Sequence, residues 1–214
     1  MRIQMLYLKM LVLSTLLFSS ITVADNGSIS YEVMDHEEES AKERIMDWQD
    51  LIEHNQGLDE QSKLKLVNDF FNETPYYTDD EIWGKVDYWA TPVEMLSINA
   101  ADCEDYAIAK YFTLREMGVP IEKLRITSVL SLELGQVHIV LTYYEHPNAE
   151  PFVLDNLVGR IKVVSQRQDL ALVYSFNGDG LWLVNSLGRG KLVDDPSRIG
   201  PWQNLVAKMA GESE

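Results

Sequence analysis

The chain has 214 residues and a formal net charge of −16. That length suffices for one domain with a sizeable core. So acidic a surface argues against nucleic acid and against anionic lipid headgroups as partners. It suits calcium or a basic protein patch, although an acidic surface also serves solvation alone.

Arg2 and Lys9 accompany an apolar stretch from Met10 to Val23, and Thr22-Val23-Ala24 offers small residues for cleavage before Asp25. Residues 1–24 therefore read as a secretory signal peptide, leaving 25–214 as a single domain. The apolar run is short for a membrane span. Removing it deletes two basic residues and no acid, so the charge moves from −16 to −18. Cys103 is the single cysteine. An exported chain so equipped forms no internal disulfide, and a thiol kept in an oxidising compartment hints at use.

Residues 25–36 read as a tail of low order. From Glu37 to His54, Ala41, Ile45, Trp48, Leu51 and Ile52 fit one helical face, and Gly57 breaks it. Asp59 suits the cap of a second helix reaching about Phe71. Residues 72–97 read as irregular, a rim with two tryptophans, Trp83 and Trp89, each of which either anchors a partner or covers the core.

A third helix starts near Cys103, with Ala107, Ile108, Tyr111, Phe112 and Leu114 at helical spacing, and Gly118 and Pro120 stop it. Strands follow at about 124–132, 136–145, 151–154, 161–164, 170–176 and 181–185, and a final helix follows Pro201. Helices first and antiparallel strands after give an α+β class, with the cysteine-bearing helix packed on the sheet.

A thiol in the first turn of a helix meets unpaired N–H groups and the positive dipole end, which favour the thiolate. The plainer alternative is a small buried apolar residue. Of the histidines His36, His54, His138 and His146, only His138 lies within a strand, which fixes its direction. Asp155 ends the adjacent strand. Together they give a nucleophile, base and orienter, Cys103–His138–Asp155. The alternative for His138 is a hydrogen-bonded core histidine.

The runs Asp-Tyr-Trp-Ala-Thr-Pro (87–92), Asp-Cys-Glu-Asp-Tyr-Ala (102–107), Val-His-Ile-Val-Leu (137–141) and Leu-Asp-Asn (154–156) carry a resemblance. They are similar to the bacterial transglutaminase-like cysteine proteinases, in particular to the periplasmic members that release giant biofilm adhesins. The run around Cys103 is the specific part. The resemblance implies a papain-like, transglutaminase-like fold and the same triad. It also implies an endopeptidase that cuts an Ala-Ala pair near the N-terminus of a large repeat adhesin. It implies a further partner, an inner-membrane cyclic di-GMP receptor that sequesters the protease. The loop holding Trp83 and Trp89 is the candidate contact for that receptor.

Asp102 and Glu104 pose a physical problem. At roughly 6 Å and an effective dielectric near 20 to 40, each carboxylate disfavours a thiolate by about 1.5–3 kcal/mol. A bound divalent cation reverses the local field, and hard oxygen donors point to Ca²⁺. Asp102 and Glu104 are the expected ligands, with Asp105 and Asp87 as further candidates, and the resemblance also implies calcium dependence. The alternative is that these acids only cap the helix. Two other functions share the same residues: transglutaminase-type acyl transfer, and a non-catalytic calcium-binding interaction module.

Overall fold

The computed structural model describes residues 27–211; the expected signal peptide lies outside them. Among the described residues, those from Glu38 onward form one compact unit and those up to Glu37 belong to a separate one. Helix α1 spans Gly27–His54. The tail expected over 25–36 is therefore helical from Gly27, since no glycine or proline interrupts the chain between Ser28 and Gln56. Trp48 and Ile52 are buried, and Trp48 Nε1 donates to Thr113 Oγ1 at 2.8 Å.

Helix α2 (Glu60–Asn72) has the expected cap, with Asp59 Oδ1 accepting from the Ser62 N–H at 2.9 Å. Leu64, Val67 and Phe71 are fully buried. Two further helices, α3 (Asp79–Trp83) and α4 (Pro92–Ile98), occupy the stretch expected to be irregular. Their cause was in the sequence. Thr78 with Glu81, and Thr91 with Glu94, form capping boxes that satisfy first-turn donors reciprocally. Asn99, at φ 55°, ends α4 in a left-handed turn. The chain can then reverse within three residues into α5 (Cys103–Glu116).

α5 is buried along most of its length. It packs against α2 on one side and against the sheet on another. Lys63 Nζ, from α2, donates to the Met117 carbonyl at 2.8 Å and satisfies the helix end. The sheet has seven strands: β1 (Leu124–Ser131), β2 (Gln136–Tyr143), β3 (Phe152–Leu154), β4 (Lys162–Val163), β5 (Leu170–Asn177), β6 (Gly180–Val184) and β7 (Gly190–Asp194). All neighbours are antiparallel, in the order β4-β3-β2-β1-β5-β6-β7. β7 was not expected, because its side chains are mostly exposed and carry no alternation. It exists because Asn185 Oδ1 accepts from the N–H groups of Leu187 and Arg189, turning the chain back onto β6.

The register decides the site. β2 pairs with β3 so that Leu141 faces Leu154. One step further sets Asp155 across from Val140, diagonal to His138 and on its face of the sheet. Helix α6 (Gly200–Met209) closes the chain with Trp202 and Leu205 buried. The class is α+β, as expected. No described helix is long and apolar enough to cross a membrane.

Candidate active site

Cys103 is the first residue of α5 and Asp102 its N-cap. The Asp105 side chain closes a capping box and also accepts from the Ala90 N–H at 2.7 Å, so it ties the 87–90 segment to the helix tip. The Cys103 thiol is half-buried and donates to Glu104 Oε2 at 3.1 Å. The backbone N–H of Ile139, the residue after His138, also faces the sulfur. Burial, followed by the charges of Glu104 and Asp102, pushes the thiol far above its ordinary value, and the Ile139 N–H only softens this.

His138 is buried, and its Nε2 lies 2.8 Å from Asp155 Oδ1. Burial alone would raise Asp155, but its bonds to His138 and Arg167 outweigh that and hold it below the usual carboxylate range. The same Oδ1 accepts from the Leu157 N–H at 3.1 Å. Arg167 Nη2 donates to Oδ2 at 2.7 Å. Thus His138 and Asp155 are joined as expected. Cys103 lies against β2 beside them, but its hydrogen bond goes to Glu104 and none joins it to His138.

Around the helix tip five carboxylates converge. Asp79, Asp102 and Asp105 bring one ligand atom each within 4.8 Å of one another, as do Asp79, Asp87 and Glu104. A third group, within the same limit, is Asp102, Cys103 and Glu104. Asp102, Glu104, Asp105 and Asp87 were expected here; Asp79 was not, and it belongs to two of the three groups. Its place directly after the Thr78 cap is a local matter, but its approach across 23 residues to Asp102 depends on the fold.

Burial, then Glu104, Asp105 and Asp79, pushes Asp102 up to about 10. Burial chiefly pushes Asp105 up to about 8 and raises Asp79 and Glu104. Asp79 Oδ1 and Asp102 Oδ1 are buried with no partner among the described residues. Buried carboxylate oxygens without donors are costly. A hard divalent cation would satisfy both, and an all-oxygen donor set fits Ca²⁺.

The two tryptophans differ. Trp89 is 8% exposed; its ring stacks on Phe176 and its Nε1 donates to Asp87 Oδ1 at 2.8 Å. It covers the core, the alternative weighed for it, and offers a partner almost no surface. Trp83 is half-buried against Tyr88, and Val86 between them is 97% exposed.

The family model for the bacterial transglutaminase-like cysteine proteinases matches residues 28–174. The chain belongs to this family. It is similar to three solved structures of Legionella pneumophila LapG. The EGTA-treated form is 39% identical, with a TM-score of 0.73, covering 84% of this chain and 96% of that one. A second form is 38% identical, with a TM-score of 0.72 and the same coverage. The calcium-bound form is 38% identical, with a TM-score of 0.71, covering 84% and 98%. No curated protein sequence matches. The transglutaminase-like fold is thus shown for this cysteine proteinase. Two buried cations that sequence reasoning passed over sit beneath the site: Arg167 against Asp155, and Lys110, whose Nζ donates to Asn72 Oδ1 at 2.7 Å. Both look ordinary in a sequence, where long cations are mostly surface residues.

Proposed function

We propose that this chain is a calcium-dependent periplasmic cysteine endopeptidase, exported by a cleavable signal peptide, that cuts a large repeat adhesin of the LapA-like kind at an Ala-Ala pair near its N-terminus and so releases it from the cell surface to disperse biofilm. The observation that carries the reading is the placement of Cys103: the first residue of a buried helix, set against the strand whose His138 is bonded to Asp155.

Each residue then has a role. Asp155 accepts from His138 Nε2 and leaves Nδ1 as the nitrogen free to take a proton. Once its thiol leaves Glu104, Cys103 gives its proton to that nitrogen, and the thiolate attacks the scissile carbonyl. The first-turn N–H of Cys103, which has no intrahelical partner, supports the oxyanion. His138 returns its proton to the leaving amine, and water hydrolyses the thioester.

Asp79, Asp87, Asp102, Glu104 and Asp105 would hold the calcium ion. When bound, calcium supplies positive charge that offsets the carboxylate field at the thiol. A LapD-like inner-membrane cyclic di-GMP receptor is the proposed inhibitor, with Trp83 its contact in preference to the buried Trp89.

The experiment is to incubate the protein, residues 25–214, with an adhesin N-terminal fragment, with calcium and with chelator. Cleavage with calcium only, and none by Cys103→Ala, is expected. Cutting by Cys103→Ala would overturn the reading. Incorporation of a labelled amine into a glutamine substrate without peptide cleavage would place the enzyme among acyl transferases instead.

A further inference from the structure

Arg167 precedes β5 and is 2% exposed. Its guanidinium reaches two carboxylates at once. Nη2 donates to Asp155 Oδ2 and to Asp169 Oδ2, each at 2.7 Å, and Nε donates to Asp169 Oδ1 at 2.9 Å. Nη1 is buried and meets no partner among the described residues, so the two aspartates carry all of its charge compensation.

The anchor is itself fixed. The Arg167 carbonyl accepts from the Leu170 N–H at 3.0 Å, and the Asp169 carbonyl from the Leu132 N–H at 2.8 Å. The first bond turns the segment into β5, and the second ties it to the residue that follows β1, beside the strand that carries His138. Asp155 therefore receives three donors from three directions: His138 and Leu157 on Oδ1, Arg167 on Oδ2. A carboxylate held only on Oδ1 could rotate about χ2 and lose His138; the guanidinium on Oδ2 removes that freedom.

We infer that Arg167 is a positioning residue for the proposed proteolysis: it locks the Asp155 carboxylate with one oxygen on His138, and Asp169 holds Arg167 in that geometry. The inference rests on the proposed function. Planar, bidentate geometry makes the role specific to arginine, because a lysine ammonium offers a point charge without the fork.

The groups that face Asp155 are His138 from β2, Arg167 with Asp169 behind it, and Lys110 from α5, which itself lies near Asp69. Lys110 remains in any Arg167 variant, so Asp155 would keep one distant cation. Loss of the near one raises the pH at which Asp155 takes up a proton. Because the ionised form orients His138, activity is lost from the acid side first.

The test is kcat/KM against pH for wild type, Arg167→Met, Arg167→Lys and Asp169→Asn, on an adhesin-derived peptide with saturating calcium. For Arg167→Met the acid limb should rise by about one pH unit. At neutral pH kcat should fall on the order of tenfold, with KM unchanged. Arg167→Lys should recover the limb in part, and Asp169→Asn should give a smaller shift of the same sign. A folded Arg167→Met or Arg167→Lys enzyme that loses only thermal stability, with its pH profile superimposed on wild type, would overturn the inference. So would a change confined to KM. If wild type itself cuts nothing, the functional reading fails and not this one alone.

Discussion

The Cys103 thiol donates to Glu104 at 3.1 Å, its neighbour in the first helical turn, while His138 is bonded to Asp155 at 2.8 Å. The nucleophile at the tip of α5 and the base on β2 thus hold different partners. The carboxylate that takes the thiol is also one of those that converge with Asp79 and Asp87. The cation and the hydrogen bond of the resting thiol therefore compete for the Glu104 carboxylate. Replacing Glu104 by Gln should lower the pH of half-maximal alkylation of Cys103 by iodoacetamide, in chelator, by about 1–2 units. In wild type, calcium should produce a shift in the same direction. Identical alkylation profiles with calcium and with chelator would show that the ion does not act on the thiol.

Asp79 is buried with one oxygen unpartnered, whereas its neighbour Asp80 is exposed. Asp79→Asn should weaken calcium binding on the order of tenfold or more by calorimetry, and Asp80→Asn should leave it unchanged. Equal effects would mean that only general negative charge matters.

Stability should depend on pH in an unusual direction. Asp105 and Asp102 are pushed up to about 8 and about 10, chiefly by burial and then by neighbouring carboxylates, Glu104 and Asp79 among them. A carboxyl raised in the folded state binds its proton more tightly there than in the unfolded chain. Its contribution is present below its unfolded value near 4 and is lost as pH rises toward the folded one. In chelator the melting temperature should fall from about pH 5 to pH 8, and excess calcium should flatten that slope. A melting temperature in chelator that rises across this window would contradict the burial of these acids.

Asn72 bridges two elements of the site: its Oδ1 accepts from Lys110 Nζ and its Nδ2 donates to the Asp155 carbonyl at 2.9 Å. Burial lowers Lys110 to about 7. At pH 6, Asn72→Ala should cost about 3 kcal/mol in urea unfolding, since it strands a buried ammonium and a carbonyl. Lys110→Met in the same background should restore part of that loss. No recovery would place the damage in packing alone.

Trp83→Glu should reduce capture by a LapD-like periplasmic domain and leave peptide cleavage intact. Trp89→Glu should fail at folding, because its ring is stacked on Phe176 at a centroid distance of 5.8 Å. Unchanged capture by Trp83→Glu would move the contact elsewhere, with exposed Val86 the next residue to replace.

The sequence by itself determined the elements whose cause is local. The Asp59 cap, the stop at Gly118 and the alternation along β2 each act within a few residues, so α2, α5 and the central strands were legible. The joined pair His138 and Asp155 was legible too, because one hairpin brings consecutive strands into register. Only the tertiary structure decided what depends on distant segments meeting. Asp79 reaches the acids of the α5 tip, Arg167 reaches Asp155 from beyond β4, and Trp89 sinks onto Phe176 of β5. A buried charge reads like a surface charge until the fold withdraws the water around it. The partner of the thiol was likewise beyond the sequence: Glu104 and His138 were both on offer, and side-chain geometry at the helix tip chose between them.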